Sequence, residues 1–223
     1  MALRRHPLVT DEYYHVFNRG ISYQPTYRNK KDYQQALFTL IYYRFAKPPV
    51  KLSRFKDLSF KEKHQILSNL ELKNECLVNI VSFVFMPNHF HMLLKQNVDN
   101  GIRVYLSRFT NSYTRYFNTR YQRIGALFQG IFKSVYIETN EQLLHLSRYI
   151  HLNPVVLPVI SVTDLDTYSW SSFPDYLKGK SNLVDLQTVL SQFRSVVEYK
   201  KFVYNQIEYA KKLEMIKHLA IDS

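Results

Sequence analysis

The chain has 223 residues, of which 30 are Lys or Arg and 18 are Asp or Glu, so its formal net charge is +12. The length allows one large domain with a buried core, and a hydrophobic share of 46% with 5 Gly and 8 Pro excludes disordered and fibrous classes. A single cysteine excludes a disulfide framework. We find no apolar run of about 18 residues and no signal-peptide region, which predicts a soluble, cytoplasmic protein without a membrane partner.

The first half of the chain alternates apolar runs with turn residues, and it predicts strands, one helix and an insertion. The predicted elements are, in order, a strand (12–18), a helix capped by Asp32 and ending near Phe45, a polar and partly helical insertion (48–74), a buried strand (76–86), a tight Pro87-Asn88 turn and a partner strand (89–96).

The second half predicts an amphipathic helix, a strand and another helix, followed by a C-terminal helical extension. Together with the first half, this order predicts an α+β fold in which an antiparallel sheet is backed by helices. The predicted elements are a helix (101–122), a strand (126–138), a helix capped by Asn140 and ended by Pro154, a loop after about residue 160, and helical structure over 183–220.

His89 and His91 lie two positions apart on a predicted strand, so both imidazoles project from the same face. Phe90, between them, then turns toward the core. Two imidazoles at this spacing can bind one divalent ion, and a rigid strand holds such ligands well. The alternative is two ordinary surface histidines.

Tyr149 and Asn153 lie four residues apart, on one face of a predicted helix. The carbonyl oxygen of Asn153 could complete a His-His-Asn metal site, and a nearby cation would stabilise a phenolate nucleophile at Tyr149. His145, one turn earlier, could contact Tyr149 or a substrate. The alternative is that Tyr149 packs on the sheet while Asn153 caps the helix end.

The two motifs occur together with three further segments, and the set resembles one known family. The chain is similar to the single-tyrosine HUH (His-hydrophobic-His) transposases, in particular the REP-associated tyrosine transposase group of the IS200-like superfamily. The matching segments are HVFNRG (15–20), MPNHFHML (86–93), ALFQGIFKS (126–134), RYIHLNPV (148–155) and YSWSS (168–172).

The resemblance implies a ferredoxin-like sheet and a metal-dependent DNA transposase with Mg²⁺ or Mn²⁺ as cofactor. It implies that His89, His91 and Asn153 are metal ligands and that Tyr149 is the nucleophile. The implied partner is single-stranded DNA with a hairpin, such as a REP-like palindrome, which is cleaved and rejoined through a 5′-phosphotyrosine intermediate. On this interpretation residues 1–160 form the catalytic domain and residues 161–223 a C-terminal extension.

The excess positive charge agrees with a polyanionic partner, because Lys and Arg neutralise phosphates. The residues chosen as candidate DNA contacts are Asn18, Arg19, Arg103, Arg108, Arg115 and Lys133. The alternatives left open are a domesticated, non-catalytic DNA-binding protein, a metal-binding protein of unrelated chemistry, and a rolling-circle or relaxase-type HUH nickase. The choice between a monomer and a homodimer also stays open. It is equally open whether the tyrosine acts within its own subunit or in that of a partner.

Overall fold

A computed structural model describes residues 7–221, with side chains described for residues 7–214. Its centre is a four-stranded, fully antiparallel sheet with the strand order β2-β3-β1-β4. This order, with a helix in each crossover, is the ferredoxin-like arrangement, so the predicted α+β class is confirmed. The strands are β1 (Tyr13–Arg19), β2 (Val78–Met86), β3 (His89–Gln96) and β4 (Lys133–Tyr136).

Helices cover both faces of the sheet and form most of the C-terminal part. Within residues 7–221, none of these helices combines the length and the apolar character that a bilayer crossing requires. The helices are α1 (Lys30–Tyr43), α2 (Leu52–Asp57), α3 (Phe60–Lys73), α4 (Gly101–Tyr121), α5 (Asn140–Val156), α6 (Phe173–Lys178), α7 (Gln187–Leu190), α8 (Val196–Tyr204) and α9 (Ile207–Ile221).

The two faces of the sheet are covered by different helices, because side chains alternate along each strand. On β3, Phe90 is fully buried and its ring packs edge-on against Phe109 of α4, with 5.4 Å between ring centroids. Helices α4 and α1 pack on each other over this face. The opposite face, with His89 and His91, receives α5. The predicted inward orientation of Phe90 is confirmed.

The start of α1 differs from the prediction, since its N-cap is Asn29 and not Asp32. The Asn29 side chain accepts hydrogen bonds from the backbone N–H groups of Lys31 and Asp32. Asp32 lies inside the first turn, fully buried, where it accepts hydrogen bonds from the hydroxyls of Tyr116 (2.9 Å) and Tyr121 (2.7 Å). A buried carboxylate requires hydrogen-bond donors, and the two tyrosines supply them. Asp32 is therefore a buried acceptor in the tertiary structure and not the helix cap.

Helix α5 also begins and ends differently from the prediction. Its N-cap is Thr139, one residue before Asn140, and the helix continues through Pro154 to Val156. A proline removes one backbone donor, but near a helix end few intrahelical bonds are lost. The side chain of Asn153 provides a further hydrogen bond near this helix end, since its Nδ2 donates to the carbonyl oxygen of Tyr149 at 2.9 Å.

The predicted strand 126–138 is reduced to β4, over residues 133–136. Gly130 adopts a positive φ of 57°, which bends the chain ahead of the strand. Leu127 and Phe128 are buried and contribute to the core instead of a regular ladder. The apolar character of this segment therefore reflects packing more than strand pairing.

The predicted polar insertion, 48–74, contains two helices. Ser59 and Glu62 form a capping box at the start of α3, and α2 places Leu52 and Phe55 against Tyr42 in a small cluster separate from the main core. This cluster attaches the two helices to α1.

The C-terminal residues contribute to the main hydrophobic core of the sheet and α5. The buried cluster that contains Ile150 of α5 also contains Tyr168, Phe173 and Tyr199. The helical structure predicted for 183–220 is divided into α7, α8 and α9 by short turns. The functional division at residue 160 stays a prediction.

A buried polar network joins α5 to α8 and β2. His151 Nδ1 lies 2.8 Å from the Tyr199 hydroxyl, which is also 2.7 Å from the Ser147 hydroxyl. His151 Nε2 lies 2.8 Å from the hydroxyl of Ser172, which accepts a hydrogen bond from the backbone N–H of Phe83. Burial lowers the pKa of His151 to about 3, so this imidazole is neutral. The network fixes α5 against its own sheet.

Replacing Tyr199 with Phe should destabilise the fold by about 1–3 kcal/mol, because His151 and Ser147 would lose a buried partner. Urea unfolding followed by circular dichroism measures this change. Tyr209→Phe is the control, since that side chain is 61% exposed and its hydroxyl should contribute little. Equal stabilities of the two variants would contradict a stabilising role for the network.

Candidate active site around two histidines and a tyrosine

The first half of the site lies on β3, directly after the Pro87-Asn88 turn. His89 pairs with Arg19 of β1 and His91 pairs with Phe17, so the neighbouring strand places side chains beside both imidazoles. The two rings are 5.1 Å apart between centroids and nearly perpendicular. Both histidines are buried, with 5% and 7% of their surface exposed.

The second half of the site lies on α5. The ring of Tyr149 meets that of His91 edge-on, with 5.4 Å between centroids, and it is 45% exposed. Asn153, one turn later, is buried. Tyr149 is therefore close to His91 and still accessible from solvent.

Each imidazole is oriented by a partner on its Nδ1 atom. Nδ1 of His89 lies 2.6 Å from Oδ1 of Asn88, and Nδ1 of His91 lies 2.8 Å from Nε2 of His15. An amide oxygen can only accept, so His89 donates from Nδ1 and its Nε2 carries the lone pair. When His91 donates to His15 in the same way, the lone pair of each ring lies on Nε2, the nitrogen that can bind a metal.

Burial keeps these imidazoles uncharged. Burial lowers the pKa of His89 to about 4; the positive charge of Arg19 adds to the decrease, and the nearby Asn153 side chain partly opposes it. Burial, with contributions from His15, His89 and Arg19, lowers the pKa of His91 well below its usual value. Burial alone lowers the pKa of His15 to about 4. Metal ligation requires neutral imidazole, so these environments suit a metal site.

The donor set of His89, His91 and Asn153 fits a divalent cation. Nδ2 of Asn153 donates to the carbonyl of Tyr149, and the Asn153 side chain also contacts His89, so its Oδ1 is the atom that could serve as a ligand beside that imidazole. Among the described residues there is no group of three or more His, Cys, Asp or Glu side chains that could hold a metal. An amide oxygen would therefore supply the third ligand.

Sequence reasoning did not identify His15 and Asn88 as parts of this site. His15 contacts His91 only because β1 pairs with β3, a pairing between residues 76 positions apart. Asn88 was interpreted as a turn residue, and an Asn directly before a ligand histidine was the signal that could have suggested an orienting role.

Of the candidate DNA contacts on β1 and β4, Arg19 and Lys133 lie on the face with the histidines, whereas Asn18 pairs with Phe90 and points to the opposite face. Arg19 pairs with His89 and so lies beside the histidines, and its charge lowers the pKa of both. Asn18 is buried, and its amide bonds to the Gly130 carbonyl (3.4 Å) and the Arg19 N–H (2.8 Å). Lys133 is exposed and pairs with Phe17, so it points to the face that carries the histidines.

The candidate contacts on α4 lie on the helix that packs over the opposite face of the sheet. Arg103 and Arg115 are exposed, whereas Arg108 donates to the carbonyls of Phe45 (3.4 Å) and Ala46 (3.0 Å). The structure does not bring these arginines to the histidine pair. Their contact with DNA stays a prediction.

His145 points away from the expected contact with Tyr149. Its Nδ1 lies 2.9 Å from Arg148, its Nε2 lies 3.8 Å from a Glu141 carboxylate oxygen, and its ring meets Phe202 of α8. His145 therefore takes part in contacts between α5 and α8.

No curated protein matches the sequence of this chain. A solved structure described as "Structure of the REP associates tyrosine transposase bound to a REP hairpin" is 14% identical to it, with a TM-score of 0.47 over 85% of this chain and 97% of that chain.

A family model described as "Transposase IS200 like" matches residues 50–153. The matched segment contains His89, His91, Tyr149 and Asn153, which form the site, but not His15 or Arg19. Over residues 50–153, this chain is therefore similar to the IS200-like transposases.

Proposed function

We propose that this protein is a metal-dependent transposase of the REP-associated tyrosine group, which cleaves and rejoins hairpin-containing single-stranded DNA. The observation that carries the proposal is the convergence of an exposed tyrosine with two buried, oriented imidazoles and one amide oxygen. Tyr149 lies beside His91, while His89 and His91 both have their Nδ1 atoms engaged elsewhere. This arrangement supports a metal site that would be formed by both Nε2 atoms and the Asn153 oxygen, with Tyr149 as the nucleophile beside it.

In the proposed reaction, the Tyr149 oxygen attacks the phosphorus of a phosphodiester. A bond forms between that oxygen and phosphorus, the bond from phosphorus to the 3′ oxygen breaks, and the 3′ oxygen takes up a proton to balance the one lost by the phenol. The products are a 5′-phosphotyrosine and a free 3′-OH. Attack by another 3′-OH reverses the step and joins the strands, so no high-energy cofactor is consumed.

His89, His91 and Asn153 would hold the divalent ion, Mg²⁺ or Mn²⁺. Such an ion supplies charge stabilisation to the non-bridging phosphate oxygens and the leaving oxygen. Imidazole ligands favour Mn²⁺ over Mg²⁺ on softness grounds, and an amide oxygen suits either ion. Tyr149 itself is positioned by α5, which the buried His151 network fixes in place.

The DNA would lie across the face of the sheet that carries the histidines. Arg19 and Lys133 place positive charge on this face, and the formal net charge of the chain is +12. Among the side chains described, Lys133 takes part in none of the ion pairs. Its ammonium group is therefore available to a phosphate.

Tyr149→Phe should abolish a covalent protein–DNA adduct and leave hairpin binding unchanged, because only the nucleophilic oxygen is removed. The measurement is incubation with single-stranded DNA from the flanks of the gene and Mg²⁺ or Mn²⁺, followed by denaturing electrophoresis. Tyr209→Phe, at another exposed tyrosine, should form the adduct normally. An adduct in Tyr149→Phe would exclude this nucleophile, and DNA binding without any adduct in the native chain would indicate a non-catalytic binding protein.

His15→Ala should weaken Mn²⁺ binding by about 10- to 100-fold, because His91 loses the partner that orients it. Isothermal titration with Mn²⁺ and no DNA measures the affinity directly. The matched control is His145→Ala, which removes an exposed histidine that contacts Arg148 and Glu141. Equal affinities in the two variants would contradict an orienting role for His15.

Lys133→Ala should weaken binding of single-stranded DNA and reduce the slope of log affinity against log salt by about 0.7, the value expected for one phosphate contact on a single strand. Fluorescence anisotropy over a salt series measures both quantities. Lys61→Ala, at an exposed position on α3, is the control. An unchanged slope in Lys133→Ala would place the DNA elsewhere.

A further inference from the structure

The loop that follows β1 presents an aromatic ring beside the histidine pair. Tyr23 is 64% exposed, and the guanidinium of Arg19 lies over its ring, 4.9 Å from the centroid. Arg19 pairs with His89 across β1 and β3, so its side chain lies on the face of the sheet that carries His89 and His91. Tyr23 is therefore separated from the site by a single cationic side chain.

This loop is attached to the turn that precedes the first histidine. Nδ2 of Asn88 donates to the carbonyl of Tyr23 at 3.1 Å, and Oδ1 of the same Asn88 accepts from His89. The N–H of Gly20 donates to the Asn88 carbonyl at 2.7 Å. One side chain thus holds both a ligand imidazole and the backbone that carries Tyr23.

The backbone of the loop is unusual. Ser22 and Tyr23 are consecutive non-glycine residues with positive φ, at 51° and 56°. Gly20 allows a close approach, since a Cβ there would lie 2.4 Å from the Gln24 carbonyl oxygen. Such conformations are disfavoured for residues with side chains and are concentrated at functional sites. Here the loop holds Tyr23 with its ring exposed and in contact with Arg19.

We propose that Tyr23 is a stacking platform for a nucleobase of the single-stranded DNA, with Arg19 contacting the adjoining phosphate. This inference rests on the proposed function, because it assumes that a phosphodiester lies between the histidines and Tyr149. An exposed aromatic face beside a cation matches the alternation of base and phosphate along a single strand. Stacking tolerates any base, so the platform holds the strand without reading its sequence.

A tryptophan at position 23 reports stacking directly. In the full chain, Tyr23→Trp should lose fluorescence on addition of short oligothymidylate, because a stacked base quenches indole emission. An abasic oligonucleotide of the same length carries the same phosphates and should produce no such loss. Tyr209→Trp is the matched control, since Tyr209 is similarly exposed on α9. Trp170 contributes the same background to both variants.

Affinity for oligothymidylate gives the second readout. Tyr23→Ala should bind about 5- to 150-fold more weakly, the range expected when one stacked base is lost, whereas Tyr23→Phe should bind as the native chain does. Native-like binding by Tyr23→Ala together with absent quenching in Tyr23→Trp would overturn the platform while leaving the proposed function in place. A native chain that binds no single-stranded DNA would overturn both.

Discussion

The period of two along β3 is the constraint on which the site depends. Phe90 is held in the core against Phe109, so its neighbours His89 and His91 must project from the other face. A slip of one residue in the pairing with β1 would turn the imidazoles toward α4 and the phenylalanine toward α5. The large hydrophobic contribution of Phe90 therefore fixes the orientation of two polar side chains that contribute little to the core themselves.

The remaining parts of the site follow from that orientation. The face with the histidines is closed by α5, and a helix lying there places residues four positions apart on the same side, next to the two rings. Asn88 and His15 then select which nitrogen of each ring is presented. Packing thus decides the position of the imidazoles, and hydrogen bonding decides their chemistry.

Local periodicity was sufficient to predict the strand pair, the inward Phe90, and the shared face of Tyr149 and Asn153. What could not be predicted depends on contacts between distant segments. His15 meets His91 only through the pairing of β1 with β3. Asp32 became a buried acceptor because α4 brings two tyrosine hydroxyls to it, leaving the cap to Asn29. The catalytic and metal-binding roles themselves stay predictions, as do the DNA contacts.

The attachment of α5 to its own sheet has a kinetic consequence. Because Tyr149 and the two histidines belong to one chain, and the His151–Tyr199 contact holds the helix in place, their encounter is intramolecular. The effective concentration of the phenol at the histidines is thus set by the fold and does not depend on protein concentration. In the described chain, the fold alone thus keeps this phenol beside these imidazoles.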